Sequence, residues 1–171
     1  MARLTLPQVN AMSREAFVQA LGGIFEHSPW VAERAFAARP FASAAALHGA
    51  MVAAVERADR EDQLRLLRAH PELAGKEADA GTLTADSTAE QKGAGLVNLS
   101  PAEKARIARL NADYRAKFGF PFIIAVREHT KSGIFSEFEA RLANAPDAEL
   151  ANCLAQVFTI TRLRLEGLVT A

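Results

Sequence analysis

The chain has 171 residues, half of them hydrophobic, which is enough to bury a sizeable core and argues against a disordered protein. Twenty basic residues balance 20 acidic ones, so the formal net charge is zero. Because nucleic acids and anionic membranes favour proteins with an excess of Lys and Arg, we expect neither as a partner.

The length corresponds most simply to one domain, and we expect a single domain over residues 1–171. The longest apolar run, FPFIIAV, has seven residues and is too short to span a bilayer. The first 13 residues lack a sustained apolar core, so no signal peptide is expected, and GLVTA at the end is not a peroxisomal signal. The single cysteine, Cys153, excludes an intrachain disulfide and a multi-cysteine zinc site. We therefore expect a soluble, cytoplasmic protein.

Capping residues and apolar spacing predict helices through most of the chain. In chain order, helices are expected after Ser13, from after Ser28 to before Pro40, over residues 43–58, from Asp59 to His70, from Ser87, from Ser100, and from about Pro146 to Val169. Residues 71–86 contain two glycines and several small polar residues, and are expected to form a loop. FIIAV is the one strand-like run, and without a partner it does not make a sheet. The predicted fold class is all-α.

An arginine lies close to the apolar face of the last predicted helix. At about 100° per residue, Arg164 projects about 40° from the centre of that face. The apolar face itself consists of Leu150, Leu154, Val157, Thr161 and Leu168. A guanidinium directed at a core needs an anionic or hydrogen-bonding partner. Two interpretations stay open. The first is structural, with Arg164 either in an internal salt bridge or reaching the edge of the core. The second is that Arg164 is a functional group.

His70 is followed directly by Pro71, at the end of a predicted helix. The exposed carbonyl groups of a helix C-terminus stabilise a charged histidine, which is a structural role. The proline disfavours helical geometry at His70 and so marks a bend, where an imidazole could act in proton transfer. The sequence contains no H-E-x-x-H motif or histidine-rich cluster, so no metal site is expected.

Glu90 belongs to the segment STAEQ, residues 87–91. The first four residues match a capping box, in which the glutamate would bond the amide of Ser87. The alternative is a ligand site, because the N-terminus of a short helix offers free amides and a favourable dipole to a carbonyl or an anion.

The segment after Pro121 combines a fixed backbone with large apolar side chains. Core packing explains its phenylalanines. The functional interpretation is that rigid backbone groups of residues 122–126 offer donors and acceptors to a flat, amide-rich molecule.

Five stretches together are similar to a known family: FEHSPWVAERAFAARPF, LRAHPELAGK, STAEQKGAGL, LNADYRAKFGFPFIIAV and ITRLRLEGLV. In this order and at this spacing, over about residues 8–169, the chain resembles the 2-oxo-4-hydroxy-4-carboxy-5-ureidoimidazoline (OHCU) decarboxylases of urate degradation. The resemblance implies an all-helical fold, a homodimer, and the removal of CO2 to yield (S)-allantoin without a metal or organic cofactor. The expected partner is the small ureidoimidazoline substrate.

The resemblance also implies site residues. The catalytic histidine of the HP motif corresponds to His70, the substrate-contacting acid to Glu90, and the arginine of the C-terminal LRL motif to Arg164. The residues implied in substrate binding are Pro71, Ser87, Gln91, Phe122, Ile123, Ile124, Ala125 and Val126.

Two other functions remain open at this point. One is a non-catalytic helical module that binds ureides, and the other is a hydrolase of a related ureide. A pure binder does not need a histidine that transfers protons. Hydrolases of this kind often use a metal-activated water, for which the sequence shows no ligand cluster.

Overall fold

The computed structural model describes residues 2–171, so Met1, the first residue of the predicted domain, lies outside the described residues. The described part is mostly helical, which confirms the predicted all-α class. The helices are α1 (Leu6–Ala11), α2 (Arg14–Leu21), α3 (Trp30–Ala35), α4 (Ala44–Glu56), α5 (Arg60–Arg68), α6 (Lys76–Ala80), α7 (Ala85–Gly93), α8 (Pro101–Phe118), α9 (Lys131–Arg141) and α10 (Pro146–Leu168). Two 3₁₀ turns cover Phe36–Ala38 and Val126–Glu128.

Two short strands were not predicted. Strand β1 (Leu4–Thr5) pairs in parallel with β2 (Val169–Thr170), with Leu4 opposite Val169. The predicted strand-like run FIIAV is not a strand, in agreement with the expectation that it lacks a partner.

The chain folds into two compact units. The terminal unit comprises the chain up to Ala69 together with Phe158–Ala171, and the central unit comprises His70–Val157. Helix α10 contributes its first part to the central unit and its last part to the terminal unit.

Several predicted helix starts in the terminal unit are confirmed. The side chains of Ser13, Ser43 and Asp59 each accept a hydrogen bond from the amide three residues later. The apolar stripe of α4 is fully buried and consists of Leu47, Met51 and Val55. Helix α5 ends at Arg68 and not at the predicted His70.

The predicted loop over residues 71–86 is wrong in part. It contains α6, whose C-cap Gly81 has the left-handed conformation (φ 69°), and it contains the start of α7. Helix α7 begins at Ala85 and not at Ser87, because Thr84 is its N-cap and accepts from the amide of Ser87. Helices α1 and α9 were also not predicted, and they are capped by Thr5 and Thr130.

In the central unit, α8 begins at the predicted Ser100, whose side chain forms a capping box with Glu103. The buried apolar stripe of α8 consists of Ile107, Leu110, Tyr114 and Phe118. The Tyr114 hydroxyl donates a hydrogen bond to the fully buried carboxylate of Glu149. Arg141 forms an ion pair with the same carboxylate at 3.1 Å. Burial raises the pKa of Glu149, but the hydrogen bonds from Arg141 and other donors outweigh it, so the net pKa lies below its ordinary value.

The buried face of α10 differs from the predicted one. Val157 and Thr161 are fully buried as predicted, whereas Leu150, Leu154 and Leu168 are only partly buried. The buried face instead includes Glu149, Cys153, Val157, Ile160 and Arg164. The prediction failed because it placed apolar residues inside, while paired polar residues occupy part of this face. Among residues 2–171, no helix is both long and apolar enough to cross a membrane.

Candidate active site

His70 opens the central unit, two residues after the end of α5. His70 is buried, with 7% of its surface exposed. The preceding residue, Ala69, still has helical geometry, and the chain leaves the helix direction at the His70-Pro71 step. The predicted bend is therefore present, and it places an imidazole in the interior.

The four residues after Pro71 form a tight turn and belong to what we call the histidine loop (residues 70–75). Ala74 has a φ of 47°, a conformation that residues with a Cβ rarely adopt. A Cβ placed on Gly75 would lie 2.8 Å from the Cβ of Glu72, so the loop folds back on itself and requires glycine at this position.

Side chains from two helices hold the histidine loop through its backbone. The Gln91 Oε1 atom accepts from the Ala74 amide at 2.9 Å, and Gln91 Nε2 donates to the carbonyl oxygen of Glu72 at 3.4 Å. Asn111 Nδ2 donates to the carbonyl oxygen of Leu73 at 2.9 Å. These three bonds satisfy peptide groups that have no helical partner.

An ion pair also holds the side chain of Glu72, which belongs to the same loop. The Nε atom of Arg115, on α8, donates to the Glu72 carboxylate at 2.7 Å. The pair is partly exposed, so it contributes less than the amide contacts to the loop backbone.

Helix α7 presents three of the predicted site residues on one face. Ser87, Glu90 and Gln91 are three and four positions apart, which places them together on a helix surface. Ser87 and Gln91 are buried and Glu90 is half-buried. Because Thr84 is the N-cap, the capping-box interpretation of Glu90 is wrong, and the glutamate is not explained by the start of the helix.

The segment 122–126 is buried at every position, and its backbone is held by neighbouring side chains. Arg141 Nη1 donates to the carbonyl oxygen of Ile123 at 2.7 Å, and the Ala125 amide donates to Gln156 Oε1 at 2.9 Å. The ring of Phe122 stacks on Phe138 with centroids 3.9 Å apart. The backbone is thus fixed as predicted, while contact of this segment with a substrate stays a prediction.

Helix α7 contacts two of these parts of the central unit. Through Gln91 it contacts the histidine loop, and it also packs against the 3₁₀ turn that begins at Val126. One short helix, α7, therefore carries Ser87, Glu90 and Gln91 and contacts both the histidine loop and the end of the 122–126 segment.

Arg164 lies in the terminal unit and is almost fully buried. Its Nη1 atom is 2.7 Å from Glu26 Oε2, and the two side chains are 4% and 1% exposed. The same nitrogen lies 3.4 Å from the carbonyl oxygen of Ile24. The structure thus contains the internal salt bridge that the sequence left open. A catalytic role of Arg164, and its convergence with His70 and Glu90, stay predictions.

Two residues with clear structural contacts were missed in the sequence. Glu26 belongs to one of the family motifs, and its side chain pairs with Arg164. Asn111 gives no signal in the sequence, because a side chain that bonds a distant backbone group leaves no periodic pattern.

Histidine, cysteine, aspartate and glutamate side chains form no group of three or more that could hold a metal ion among the described residues. Cys153 is buried, and its Sγ atom lies 3.2 Å from the Tyr114 hydroxyl and 3.3 Å from Arg141 Nη2. Burial raises the pKa of the Cys153 thiol above its ordinary value, although Tyr114 and Arg141 act in the opposite direction. The thiol is therefore protonated at neutral pH and forms part of the core.

The capping assignment gives Thr84 and Glu90 different roles that can be tested. Replacing Thr84 with Ala should lower the free energy of unfolding by about 1 kcal/mol, because the Ser87 amide loses its acceptor. Hydrogen exchange of the Ser87 amide should accelerate in Thr84→Ala and stay unchanged in Glu90→Ala. Faster exchange in Glu90→Ala alone would restore the capping-box interpretation.

Comparisons with known proteins cover nearly the whole chain. The family model described as OHCU decarboxylase matches residues 10–166. The chain is 47% identical to the 2-oxo-4-hydroxy-4-carboxy-5-ureidoimidazoline decarboxylase of Haloferax volcanii, over 96% of each chain. It is 42% identical to the protein of the same name from Halalkalicoccus jeotgali, over 98% of this chain and 93% of the relative.

A solved structure supports the same assignment. The crystal structure of (S)-allantoin synthase superposes with a TM-score of 0.76 at 30% sequence identity. The match covers 97% of this chain and 54% of that one, so this chain spans about half of the synthase. The chain belongs to the OHCU decarboxylase family.

Proposed function

We propose that this protein decarboxylates OHCU to (S)-allantoin in urate degradation and that His70, Glu90 and Arg164 carry the reaction. The match of nearly the full chain to relatives named for this decarboxylation carries the proposal. The arrangement of the histidine loop on α7 supports the assignment of His70 and Glu90.

The reaction breaks the bond between a ring carbon and its carboxylate, and the bonding electron pair stays on the substrate as CO2 leaves. The family resemblance implies that no organic cofactor takes up this pair, so the conjugated ring of the substrate accepts it. The protein then contributes by stabilising the charge where it arrives and by delivering one proton from one side.

We assign the proton transfer to His70. An imidazole can release and take up a proton near neutral pH, which suits a general acid–base. Its buried position at the bend after α5 restricts the directions from which it can reach a substrate. Delivery to one face of the intermediate explains why a single enantiomer forms.

We assign substrate binding to the groups around His70. Glu90, which the helix cap does not explain, would hold the substrate and orient either the imidazole or the ring hydroxyl. Pro71, Ser87 and the fixed backbone of residues 122–126 would complete the binding surface. Residues 122–126 suit this role because their peptide groups are held in place by neighbouring side chains.

The ion pair with Glu26 limits what Arg164 can do. An arginine without a counter-charge would grip the carboxylate of the substrate and stabilise the ground state more than the transition state. Glu26 already balances the charge of Arg164 in a buried contact. We therefore assign Arg164 to a ring or ureido carbonyl, where negative charge grows as CO2 leaves.

The two alternative functions and three further expectations have less support than the decarboxylation. No observation on the described residues favours the ureide-binding module or the ureide hydrolase. The homodimer, the cytoplasmic location and the single domain over residues 1–171 stay predictions from the sequence and the family resemblance. Size-exclusion chromatography with light scattering would test the dimer.

The decisive experiment generates the unstable substrate with urate oxidase and hydroxyisourate hydrolase and follows chiral allantoin by circular dichroism. The protein should yield one enantiomer, and chelator should not reduce the rate. His70→Asn should lower kcat by at least about 100-fold, because the proton donor is lost, while the far-ultraviolet spectrum stays that of a folded protein. Near-normal turnover by this variant would remove His70 from the mechanism.

The role of Arg164 is tested with its buried partner. Arg164→Lys should lower kcat and also raise KM, because lysine cannot reproduce a bidentate contact of the guanidinium with the substrate. Glu26→Gln should lower both kcat and KM, because the uncompensated guanidinium then binds the anionic ground state more tightly. Glu26→Asp, which keeps the charge, serves as the control. A rise in KM alone in both Arg164→Lys and Glu26→Gln would contradict this placement.

A further inference from the structure

We propose that Asn111 and Gln91 are positioning residues that clamp the histidine loop and thereby set the place of His70 relative to Glu90. The proposal rests on the proposed function, since it takes His70 and Glu90 as the acting groups. Neither side chain needs to touch the substrate for this role. For Gln91 the proposal replaces the direct substrate contact that the family resemblance implies.

The contact made by Asn111 accounts for a polar side chain in an otherwise apolar place. Asn111 is 5% exposed, on the buried side of α8. Its Nδ2 donates to the carbonyl oxygen of Leu73, while its Oδ1 is buried and has no hydrogen-bond partner among the described residues. A buried amide with an unsatisfied oxygen is unfavourable for folding. An apolar residue at this position would destabilise the fold less than an amide with an unsatisfied oxygen. The amide of Asn111 is therefore explained by its hydrogen bond to the histidine loop.

Both the oxygen and the nitrogen of the Gln91 side-chain amide form hydrogen bonds with the histidine loop. Its oxygen accepts from Ala74 and its nitrogen donates to the carbonyl of Glu72, so one side chain spans three loop residues. Gln91 follows Glu90 directly in α7. The helix that carries Glu90 is therefore bonded to the loop that follows His70.

The loop needs such a clamp because its conformation is unfavourable in isolation. Ala74 has a positive φ, a conformation that a residue with a Cβ adopts only where surrounding contacts enforce it. Without the bonds to Glu72, Leu73 and Ala74 the loop would relax, and His70, two residues before Glu72, would move with it.

A displaced His70 should slow the chemical step and leave substrate binding nearly intact. Proton transfer requires the reacting atoms to be aligned, and a misplacement of about 1 Å can reduce the rate by about 100-fold. Loss of the clamp should therefore appear in kcat and not in KM. A residue that binds the substrate equally in its ground and transition states would show the opposite result.

The test compares Asn111→Leu, Gln91→Met and the double variant in the coupled allantoin assay. Each single variant should lower kcat by about 10- to 100-fold and change KM by less than about threefold. Because both side chains hold one loop, the double variant should lose much less than the product of the two single effects. Leu110→Met, next to Asn111 on α8 and similar in volume, should keep kcat within about twofold.

Gln91→Glu provides a second variant if Asn111→Leu fails to fold. It retains an oxygen that can accept from Ala74 and loses the donor to Glu72, so its kcat should lie between those of the wild type and Gln91→Met. Thermal unfolding of every variant shows whether a lower kcat reflects loss of the folded protein.

Wild-type kcat in Asn111→Leu, or a rise in KM alone in Gln91→Met, would overturn the clamp. His70→Asn is measured in parallel to separate this failure from that of the proposed function. An inactive His70→Asn together with normal clamp variants would reject the clamp alone. Normal turnover by His70→Asn would reject the role of His70 and the clamp with it.

Discussion

The peptide groups of residues 72–74, which are partly or fully buried, impose the constraint on which the candidate site depends. They lie between helices α5 and α6 and have no helical partner, yet backbone groups withdrawn from water must be hydrogen-bonded. Gln91 from α7 and Asn111 from α8 supply these bonds. The loop after His70 is thereby tied to the helix of Glu90, so the position of the imidazole follows from side chains elsewhere in the central unit.

Buried ionic groups have a comparable effect in other parts of the protein. Glu149 and Arg141 pair in the core of the central unit, and Arg141 also holds the carbonyl of Ile123. In the terminal unit, Glu26 pairs with Arg164. Breaking such a pair leaves an uncompensated charge, so each partner is held in one arrangement. The groups proposed for catalysis are thus supported by polar contacts that the interior makes costly to lose.

Much of the fold could be predicted from the sequence, together with the bend at His70 and the need of Arg164 for a buried partner. The caps at Ser13 and Ser100 are local signals, and the five motifs predicted both the helical class and the family, which are confirmed. The start of α7 was missed because Thr84 and Ser87 are both acceptable caps, and only the folded chain selects one. The polar face of α10 was missed because its ion-pair partners lie outside this helix, with Arg141 on α9 bonding Glu149 and Glu26 bonding Arg164. The role of Asn111 could not be predicted for the same reason.

Hydrogen exchange at the Ala74 amide tests most directly whether the histidine loop is held by α7 and α8. The account predicts slow exchange, with protection similar to that of amides inside α8, and loss of this protection in Gln91→Met. Exchange of the wild-type amide at the rate of an open loop would contradict the account, because His70 would then have no fixed place beside Glu90.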